Sequence, residues 1–357
     1  MYWCYFCILF VVLLWYAGFR YKRRNMYLLA KKVKTPKLLF PFFGVSFEVL
    51  GNTEAIMNKM KYYSDFSTSS GGVACGWLGP LLYYLITDAE KIEIVLQNIL
   101  EKDGLHRFIQ VLVGNALIFS KDVVQGNSET TFLDLLIRQS DLRGGYTDLE
   151  LREEVLTFII AAMDTSATAM GFTLKLMGKY PEIQQRVFKE LDAVFEGSDR
   201  LLHKHDLAKL QYLERVIKET LRLFPSVPFV VRKAEYDTQL NEDITLPKGA
   251  GIICSIWGVH RNPTIWGPDA DCFDPDRFLP KRCKDLPACA YIPFSFGPRN
   301  CLGYKYAMMS MKTALSTLLR RYRVVGEPEA GPIPHIRVKL EVMLKAVDEY
   351  EIAIVER

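Results

Sequence analysis

The stretch Phe294–Gly303, with the sequence FSFGPRNCLG, decides the fold of this 357-residue chain. Its single cysteine, Cys301, lies between Gly297 and Gly303 and two residues after Arg299. Glycines let a backbone approach a flat group closely, and an arginine pairs with carboxylates and helps to hold a nearby thiol ionised. Apolar residues after Cys301 repeat at helical spacing, and the N-terminus of such a helix would lower the thiol pKa further. The run therefore predicts an axial thiolate for a haem iron, with an ordinary buried cysteine as the alternative.

The same run resembles the cysteine-loop signature of the cytochrome P450 family, F-x-x-G-x-R-x-C-x-G, at every defined position. The resemblance implies a mainly α fold with small β-sheets (α+β), which holds haem b through a bond from Cys301 to the iron. Arg232 follows the run PSVP and matches a family position that contacts a haem propionate. The cofactor-binding residues that the resemblance implies are Phe294, Gly297, Arg299, Cys301 and Gly303 of the cysteine loop (294–303), together with Arg232.

A second family motif, E-x-x-R, is matched by Glu219 and Arg222 in a predicted helix at residues 206–224. Residues three apart share a helix face, so the two side chains can pair, although many surface helices carry the same spacing. Downstream, the run FDPDRF in the segment 266–280 resembles the family's P-E-R-F meander, with Asp276 where glutamate is usual. The resemblance implies that Arg277 of the meander joins Glu219 and Arg222 in a buried structural cluster.

The run Leu156–Leu176 is apolar and contains no proline, which predicts a long buried helix over residues 151–178. Within it, Ala161–Ser166 (AAMDTS) resembles the family's oxygen-handling motif, [A/G]-G-x-[D/E]-T-[T/S]. The resemblance implies that Asp164 and Thr165 are the catalytic acid and hydroxyl, which supply protons to dioxygen. A threonine hydroxyl that only bonds to a carbonyl of its own helix is the alternative.

Two alanines in this motif depart from common family residues. Ala162 replaces the usual glycine, which leaves the helix less room to bulge. In many members of the resembled branch, a glutamate three residues before the helix aspartate forms an ester with the haem. That position is Ala161 here, so we expect the haem to be held non-covalently.

The first residues are typical of a membrane anchor. Residues 1–19 carry no charge and can just span a bilayer as a helix, and eight lysines and arginines follow before the first acid, Glu48. Positive residues after a span keep the next domain in the cytoplasm, and the resemblance implies a single-pass protein of the endoplasmic reticulum membrane. A cleaved signal peptide is the alternative, although the sequence has neither its basic start nor an A-x-A-like site. Residues 20–50 then form a basic linker with Pro and Gly.

Charge and cysteine content exclude other classes of protein. The formal net charge is +4, less than the eight cations of the linker, so the rest of the chain is slightly acidic and is not a nucleic-acid-binding surface. Of the eight cysteines, the close pair Cys4 and Cys7 lies in the apolar start and the others lack C-x-x-C spacing, which disfavours a zinc site. Free thiols are typical of a reducing compartment.

The middle of the chain departs from the family pattern. In the region 51–121, the run Gly76–Thr87 predicts a hairpin and Asp88 a helix cap, as in the family's first sheet and B helix. The C helix and its W-x-x-x-R motif do not follow, because after Lys121 and Asp122 the sequence resembles the stretch before the oxygen-handling helix. Roughly a hundred residues, the C-to-G helices, are therefore expected to be absent. The fold would be an internally truncated one, with 122–357 as the haem-binding core.

Two functions follow from these observations. The resemblance implies a monooxygenase that inserts one oxygen atom from O2 into an apolar substrate, with electrons from NADPH through NADPH–cytochrome P450 reductase, with cytochrome b5 as a further partner. The run Ile217–Pro228 resembles the animal fatty-acid-hydroxylase branch, which favours a fatty acid, lipid signal or xenobiotic as substrate. The missing helices favour an inactive haem-binding remnant, whether a misjoined gene model, a splice variant or a decayed copy. A relative that rearranges peroxides is disfavoured, because Asp164 and Thr165 are both retained.

Overall fold

A computed structural model describes residues 2–36, 44–46, 51–102, 132–142 and 145–357. The expected join between Lys121 and Asp122 lies outside these residues. Short 3-10 turns cover Pro275–Phe278 and Gly297–Arg299. The described α-helices are α1 Tyr2–Lys22, α2 Arg24–Ala30, α3 Thr53–Ser69, α4 Ala89–Asn98, α5 Phe132–Leu142, α6 Asp148–Lys179, α7 Pro181–Phe195, α8 Lys204–Lys209, α9 Gln211–Leu223, α10 Ile256–Val259, α11 Pro263–Trp266, α12 Pro280–Cys283 and α13 Tyr304–Leu319.

The strands are short and belong to small sheets. One sheet has four strands in the order β1-β2-β6-β3, and three further pairs join β4 to β5, β7 to β10 and β8 to β9. Long helices beside small sheets agree with the predicted α+β class. The strands are β1 Val73–Leu78, β2 Leu81–Ile86, β3 Phe229–Lys233, β4 Thr238–Gln239, β5 Thr245–Leu246, β6 Gly251–Ser255, β7 Tyr322–Val325, β8 Val338–Leu340, β9 Leu344–Ala346 and β10 Ala353–Glu356.

The chain forms two compact units, and the predicted site residues fall in both. Unit 1 comprises Met1–Lys102, Pro228–Ala270 and Asp285–Asn300. Unit 2 comprises Asp103–Val227, Asp271–Lys284 and Cys301–Arg357. The first unit therefore holds the four-stranded sheet, and the second holds α6, α9 and α13.

In unit 1, the sheet is built on the predicted hairpin. β1 and β2 are antiparallel and meet at a turn through Gly79, whose φ of +55° favours glycine. β2 runs parallel to β6, and β6 runs antiparallel to β3. The predicted cap is also confirmed, because the Asp88 side chain accepts a hydrogen bond of 3.0 Å from the Lys91 backbone N–H at the start of α4.

In unit 2, α6 and α9 pack together in the core. Thr147 caps α6 and forms a capping box with Glu150, whose carboxylate accepts from the Thr147 backbone N–H at 2.8 Å. The rings of Phe172 on α6 and Phe224, which ends α9, stack with centroids 4.8 Å apart. These contacts fix α6 beside the E-x-x-R helix.

The expectation that α6 is buried throughout is wrong for its first half. Phe172, Leu176 and Met177 in its C-terminal half are fully buried, whereas Met163 is 66% exposed. The other exposed apolar side chains on the first half are Leu149, Leu156, Ile159 and Ile160. These side chains are 45–66% exposed, whereas Glu154 and Thr157 on the same half are buried, so only one face of the first half is packed.

The predicted anchor forms a helix, α1, that continues to Lys22 and carries exposed apolar side chains, Phe6 and Val11 among them. By length and composition, the helix that could cross a membrane among the described residues is α6. The C-terminal half of α6 belongs to the core of unit 2, however, so burial in that core accounts for the apolar residues there.

The W-x-x-x-R spacing does occur once in the sequence, at Trp257 and Arg261. There the Arg261 guanidinium carbon lies 3.4 Å from the centroid of the Trp257 ring, in unit 1 after strand β6. This pair belongs to a segment far along the chain from the region expected to begin the C helix, so it does not replace that motif.

Candidate active site

Cys301 lies in unit 2, three residues before α13 begins at Tyr304. The residue as a whole is exposed, yet partial desolvation of its sulfur raises the thiol pKa, and a hydrogen bond with the Gly303 backbone lowers it only in part. The sequence predicted a lowered thiol pKa, whereas the protein groups around Cys301 raise it, so that prediction is wrong. The helix begins where predicted, but its N-terminus does not outweigh desolvation, and Arg299 is not among the groups that act on the sulfur.

Three cations cluster in unit 1. Arg232 on β3 is 4% exposed, its Nη1 donates to the Val231 carbonyl at 3.1 Å, and its Nε has no hydrogen-bond partner among the described residues. Burial lowers the Arg232 pKa and the nearby Arg299 lowers it further. Burial likewise lowers the Lys102 pKa, with Arg299 and Arg232 adding to the effect. One buried cation with two half-buried cations beside it is typical of a site for an anionic group.

Lys102 is a site residue that the sequence did not predict. It ends the described segment after α4 and is separated by more than a hundred residues from Arg232. Lys102 belongs to no motif, so the sequence contains no signal that could have found it.

Gly297 and Gly303 of the cysteine loop differ in how much room a side chain would have. Gly297 has φ +75°, and a Cβ there would lie 2.4 Å from the Leu96 carbonyl oxygen at the end of α4. The requirement for glycine at this position therefore comes from the protein's own backbone. At Gly303, no described atom lies within 4 Å of the place where a Cβ would be, so that side is open. Phe294 is half-buried in unit 1, and the next residue, Ser295, has φ +63°, a conformation typical of constrained functional loops.

In unit 2, the structure brings Glu219, Arg222 and Arg277 together in the core. Arg222 donates to Glu219 twice, from Nε to Oε2 and from Nη2 to Oε1, each at 2.7 Å. The Nε of Arg277 lies 3.5 Å from Glu219 Oε1. Two backbone groups complete the cluster: the Asp274 N–H donates to Glu219 at 3.0 Å, and the Cys272 carbonyl accepts from Arg222 at 3.1 Å.

Asp276, which stands where the meander pattern usually has glutamate, also has charged partners. Its carboxylate accepts two hydrogen bonds from Arg186 on α7, at 2.9 and 2.8 Å, and lies 3.5 Å from Arg215 on α9. A shorter aspartate therefore ties the meander to two helices of unit 2, although the ion pair with Arg186 is half exposed and contributes little.

Asp164 and Thr165, also in unit 2, have different partners. The Thr165 hydroxyl donates to the Ala161 carbonyl of its own helix at 2.7 Å. The Asp164 carboxylate forms an ion pair with Lys345 on β9. The structure places the two residues next to each other on α6 but shows no hydrogen bond between their side chains. In this arrangement the Thr165 hydroxyl bonds to a carbonyl of its own helix, which is the alternative reading of the sequence.

Ala161 gives a prediction about how a haem would be attached. Its methyl group provides no carboxylate for an ester, so acid–organic extraction of the haem-loaded chain should leave no pigment on the polypeptide. Absorbance of the precipitated protein at the Soret wavelength measures the result. Pigment that stays with the polypeptide would contradict the non-covalent assignment.

Comparison with known proteins gives one consistent family. A family model described as "Cytochrome P450" matches residues 40–349. The chain is 47% identical over 192 residues to cytochrome P450 4c21 of Blattella germanica, covering 54% of this chain and 38% of that protein. It is 42% identical over 216 residues to the probable cytochrome P450 4s3 of Drosophila melanogaster, covering 60% of this chain and 41% of that protein.

Human and structural matches extend the pattern. Cytochrome P450 4V2 of Homo sapiens is 45% identical over 197 residues, which cover 55% of this chain and 37% of that protein. A crystal structure of a cytochrome P450 (CYP102L1) superposes with a TM-score of 0.75 at 18% identity and covers 91% of this chain and 99% of that chain. The likeness to the solved structure supports the fold. The chain spans about two fifths of the length of the curated relatives that it matches.

Proposed function

This chain belongs to the cytochrome P450 family, in its animal CYP4-like branch, and we propose that it is a haem-thiolate monooxygenase that inserts one oxygen atom from O2 into an apolar substrate. The observation that carries the proposal is the complete cysteine loop, with the exposed thiol of Cys301 at the start of α13. Membership of the family implies a haem iron with a thiolate ligand.

The chain's own residues fit that cofactor. Arg232 has a buried Nε with no partner among the described residues, and a haem propionate would provide the missing acceptor. Arg299 and Lys102 add positive charge beside Arg232, which suits the two carboxylates of haem b. Cys301 would bind the iron, and thiolate donation from its sulfur gives a bound haem the electron density that favours O–O cleavage.

Asp164 and Thr165 would deliver protons to the reacting oxygen. An acid and a hydroxyl on consecutive residues of α6 can pass a proton from solvent in two short transfers. The Thr165 hydroxyl has to exchange its bond to the Ala161 carbonyl for one to the reacting oxygen, which costs one internal hydrogen bond, about 1 kcal/mol.

Substrate, partners and location belong to the same proposal. The sequence of Ile217–Pro228 favours a fatty acid, a lipid signal or a xenobiotic, and the electrons would come from NADPH through the reductase, with cytochrome b5 as a second donor. α1 would anchor the protein in the endoplasmic reticulum membrane. Its exposed apolar side chains, with Arg20 and Lys22 in the last turn, support this assignment.

The second candidate function is an inactive haem-binding remnant. Its support is the exposed apolar first half of α6, from Leu156 to Met163, together with the limited share of each relative that the chain matches. An exposed apolar helix face is unusual on a folded domain. Water that reaches it would uncouple oxygen use from product formation.

One experiment separates the two candidates. The 357-residue chain is loaded with haem, reduced and exposed to carbon monoxide, and haem retention and NADPH-dependent turnover of lauric acid with a reductase are then measured. The monooxygenase predicts the red-shifted thiolate Soret band with coupled turnover, whereas the remnant predicts weak haem retention and negligible turnover. Inserting a relative's C-to-G segment between Lys121 and Asp122 should restore retention and turnover. Coupled turnover by the unmodified chain would contradict the remnant, and absence of the thiolate band would contradict the monooxygenase.

A further inference from the structure

The carboxylate of Asp164 is held by a residue that belongs to no recognised motif. Lys345, on strand β9, forms an ion pair with Asp164 and donates a second hydrogen bond to the Thr168 hydroxyl at 3.0 Å. Asp164 and Thr168 are four residues apart and share one face of α6, so the single ammonium group bridges a full turn of the helix. The Lys345 side chain is 23% exposed and that of Asp164 38%, so the pair is partly shielded from water.

A second contact ties the same strand to the same turn. The Leu344 backbone N–H donates to the Ser226 carbonyl at 2.9 Å. The Ser226 hydroxyl in turn donates to the Thr165 carbonyl at 2.9 Å. Lys345 therefore contacts Asp164 directly through its side chain, and Leu344 is linked to Thr165 through Ser226.

A third contact fixes the segment that follows β9. The Tyr350 ring lies against Gly171, where a Cβ would come within 2.8 Å of the ring, and packs edge-on against Phe172 with centroids 5.2 Å apart. Because the hairpin and its continuation are attached to α6 at Thr165 and again at Gly171 and Phe172, Lys345 is held in place to act on the carboxylate.

We propose that Lys345 is a positioning residue that holds the Asp164 carboxylate in one orientation on α6, and this rests on the proposed monooxygenase function. An aspartate on a partly exposed helix face otherwise samples several rotamers. Removal of the lysine leaves the acid free to turn into solvent, so the orientation from which it supplies protons is lost. Arginine at this position retains the charge and both donors and should restore most of the effect.

The test uses the complete chain in detergent, in the variants Lys345→Met, Lys345→Arg, Asp164→Asn and the double variant Asp164→Asn with Lys345→Met. Lys339 on the neighbouring strand β8 provides a matched control, because it forms an ion pair with Glu341 at 3.0 Å and has similar exposure. Its variant Lys339→Met removes an equivalent charge from the same hairpin without touching α6.

Thermal unfolding and hydrogen exchange measure the tether directly. We expect Lys345→Met and Asp164→Asn each to lower the midpoint by about 2–4 °C and the double variant by no more than either alone. Amides in 161–169 should exchange roughly fivefold faster in Lys345→Met and remain unchanged in Lys339→Met. Additive losses, or an equal effect of Lys339→Met, would overturn the proposal whether or not the chain binds haem.

The C–O stretching frequency of the reduced, carbon monoxide-bound form reports the charged groups beside the iron. It should shift in Lys345→Met and in Asp164→Asn, shift no further in the double variant, and return towards the original value in Lys345→Arg. A frequency that is unchanged in Lys345→Met but shifted in Asp164→Asn would show that the lysine does not position the acid. If the unmodified chain forms no thiolate complex, the proposed function fails, while the unfolding cycle still decides whether Lys345 holds Asp164.

Discussion

Replacing Cys301 by serine should abolish the red-shifted Soret band of the reduced, carbon monoxide-bound protein completely. A serine hydroxyl does not ionise near neutral pH and donates far less electron density to iron than a thiolate. The surrounding protein raises the Cys301 pKa, so the bond to iron, rather than Arg299 or the helix N-terminus, would favour the thiolate, with the thiol proton released to water. The loss should therefore be total rather than graded.

A second cysteine provides the control for this experiment. Cys272 is half-buried in the meander, and its part in the Glu219 cluster is made by its backbone carbonyl, so Cys272→Ser should keep the band. Difference spectra of the two variants and the unmodified chain, at equal haem content, give the answer. If Cys301→Ser retains the red-shifted band, another sulfur binds the iron and the axial-ligand assignment is wrong.

Features defined by neighbours in sequence could be predicted. The hairpin turn at Gly79 and Pro80, the cap at Asp88 and the start of α13 after Gly303 each depend on residues close to one another in the sequence. The Glu219–Arg222 pair depends on i, i+3 spacing alone, which places both side chains on one face of α9. Local rules were sufficient in these places because no distant residue had to be known.

Features that depend on distant residues could be predicted only where the family resemblance names them, as for Arg277 beside Glu219. Lys102, Arg232 and Arg299 come together only when β3 and residues 285–300 of unit 1 are folded, and Lys345 reaches Asp164 across 181 residues. The sign of the Cys301 pKa shift likewise depends on how much desolvation the folded loop imposes. For Gly297, the sequence predicted a glycine near a cofactor, whereas the structure gives the Leu96 carbonyl as the atom that excludes a side chain.

The largest expected loss of stability comes from Glu219→Ala. Glu219 is fully buried, accepts two hydrogen bonds from Arg222 and one from the Asp274 N–H, and lies 3.5 Å from Arg277. The alanine leaves two buried guanidinium groups without their counter-ion, so we expect the free energy of unfolding to fall by about 3–5 kcal/mol. Glu219→Gln retains the size of the side chain but not its charge, and it should lose a similar amount.

Glu214 on the same helix provides a matched control for the charge and the truncation. It forms ion pairs with Lys218 at 2.7 Å and Lys312 at 2.8 Å, and 36% of its side chain is exposed. Water can replace Lys218 as a partner, but only 7% of the Lys312 side chain is exposed, so Glu214→Ala should cost about 1–3 kcal/mol, less than Glu219→Ala. Chemical denaturation of the three variants and the unmodified chain, followed by circular dichroism, measures the difference. A Glu219→Ala chain as stable as Glu214→Ala would show that α9 and the meander are held by apolar packing alone, and that the E-x-x-R pair is not the element that joins them.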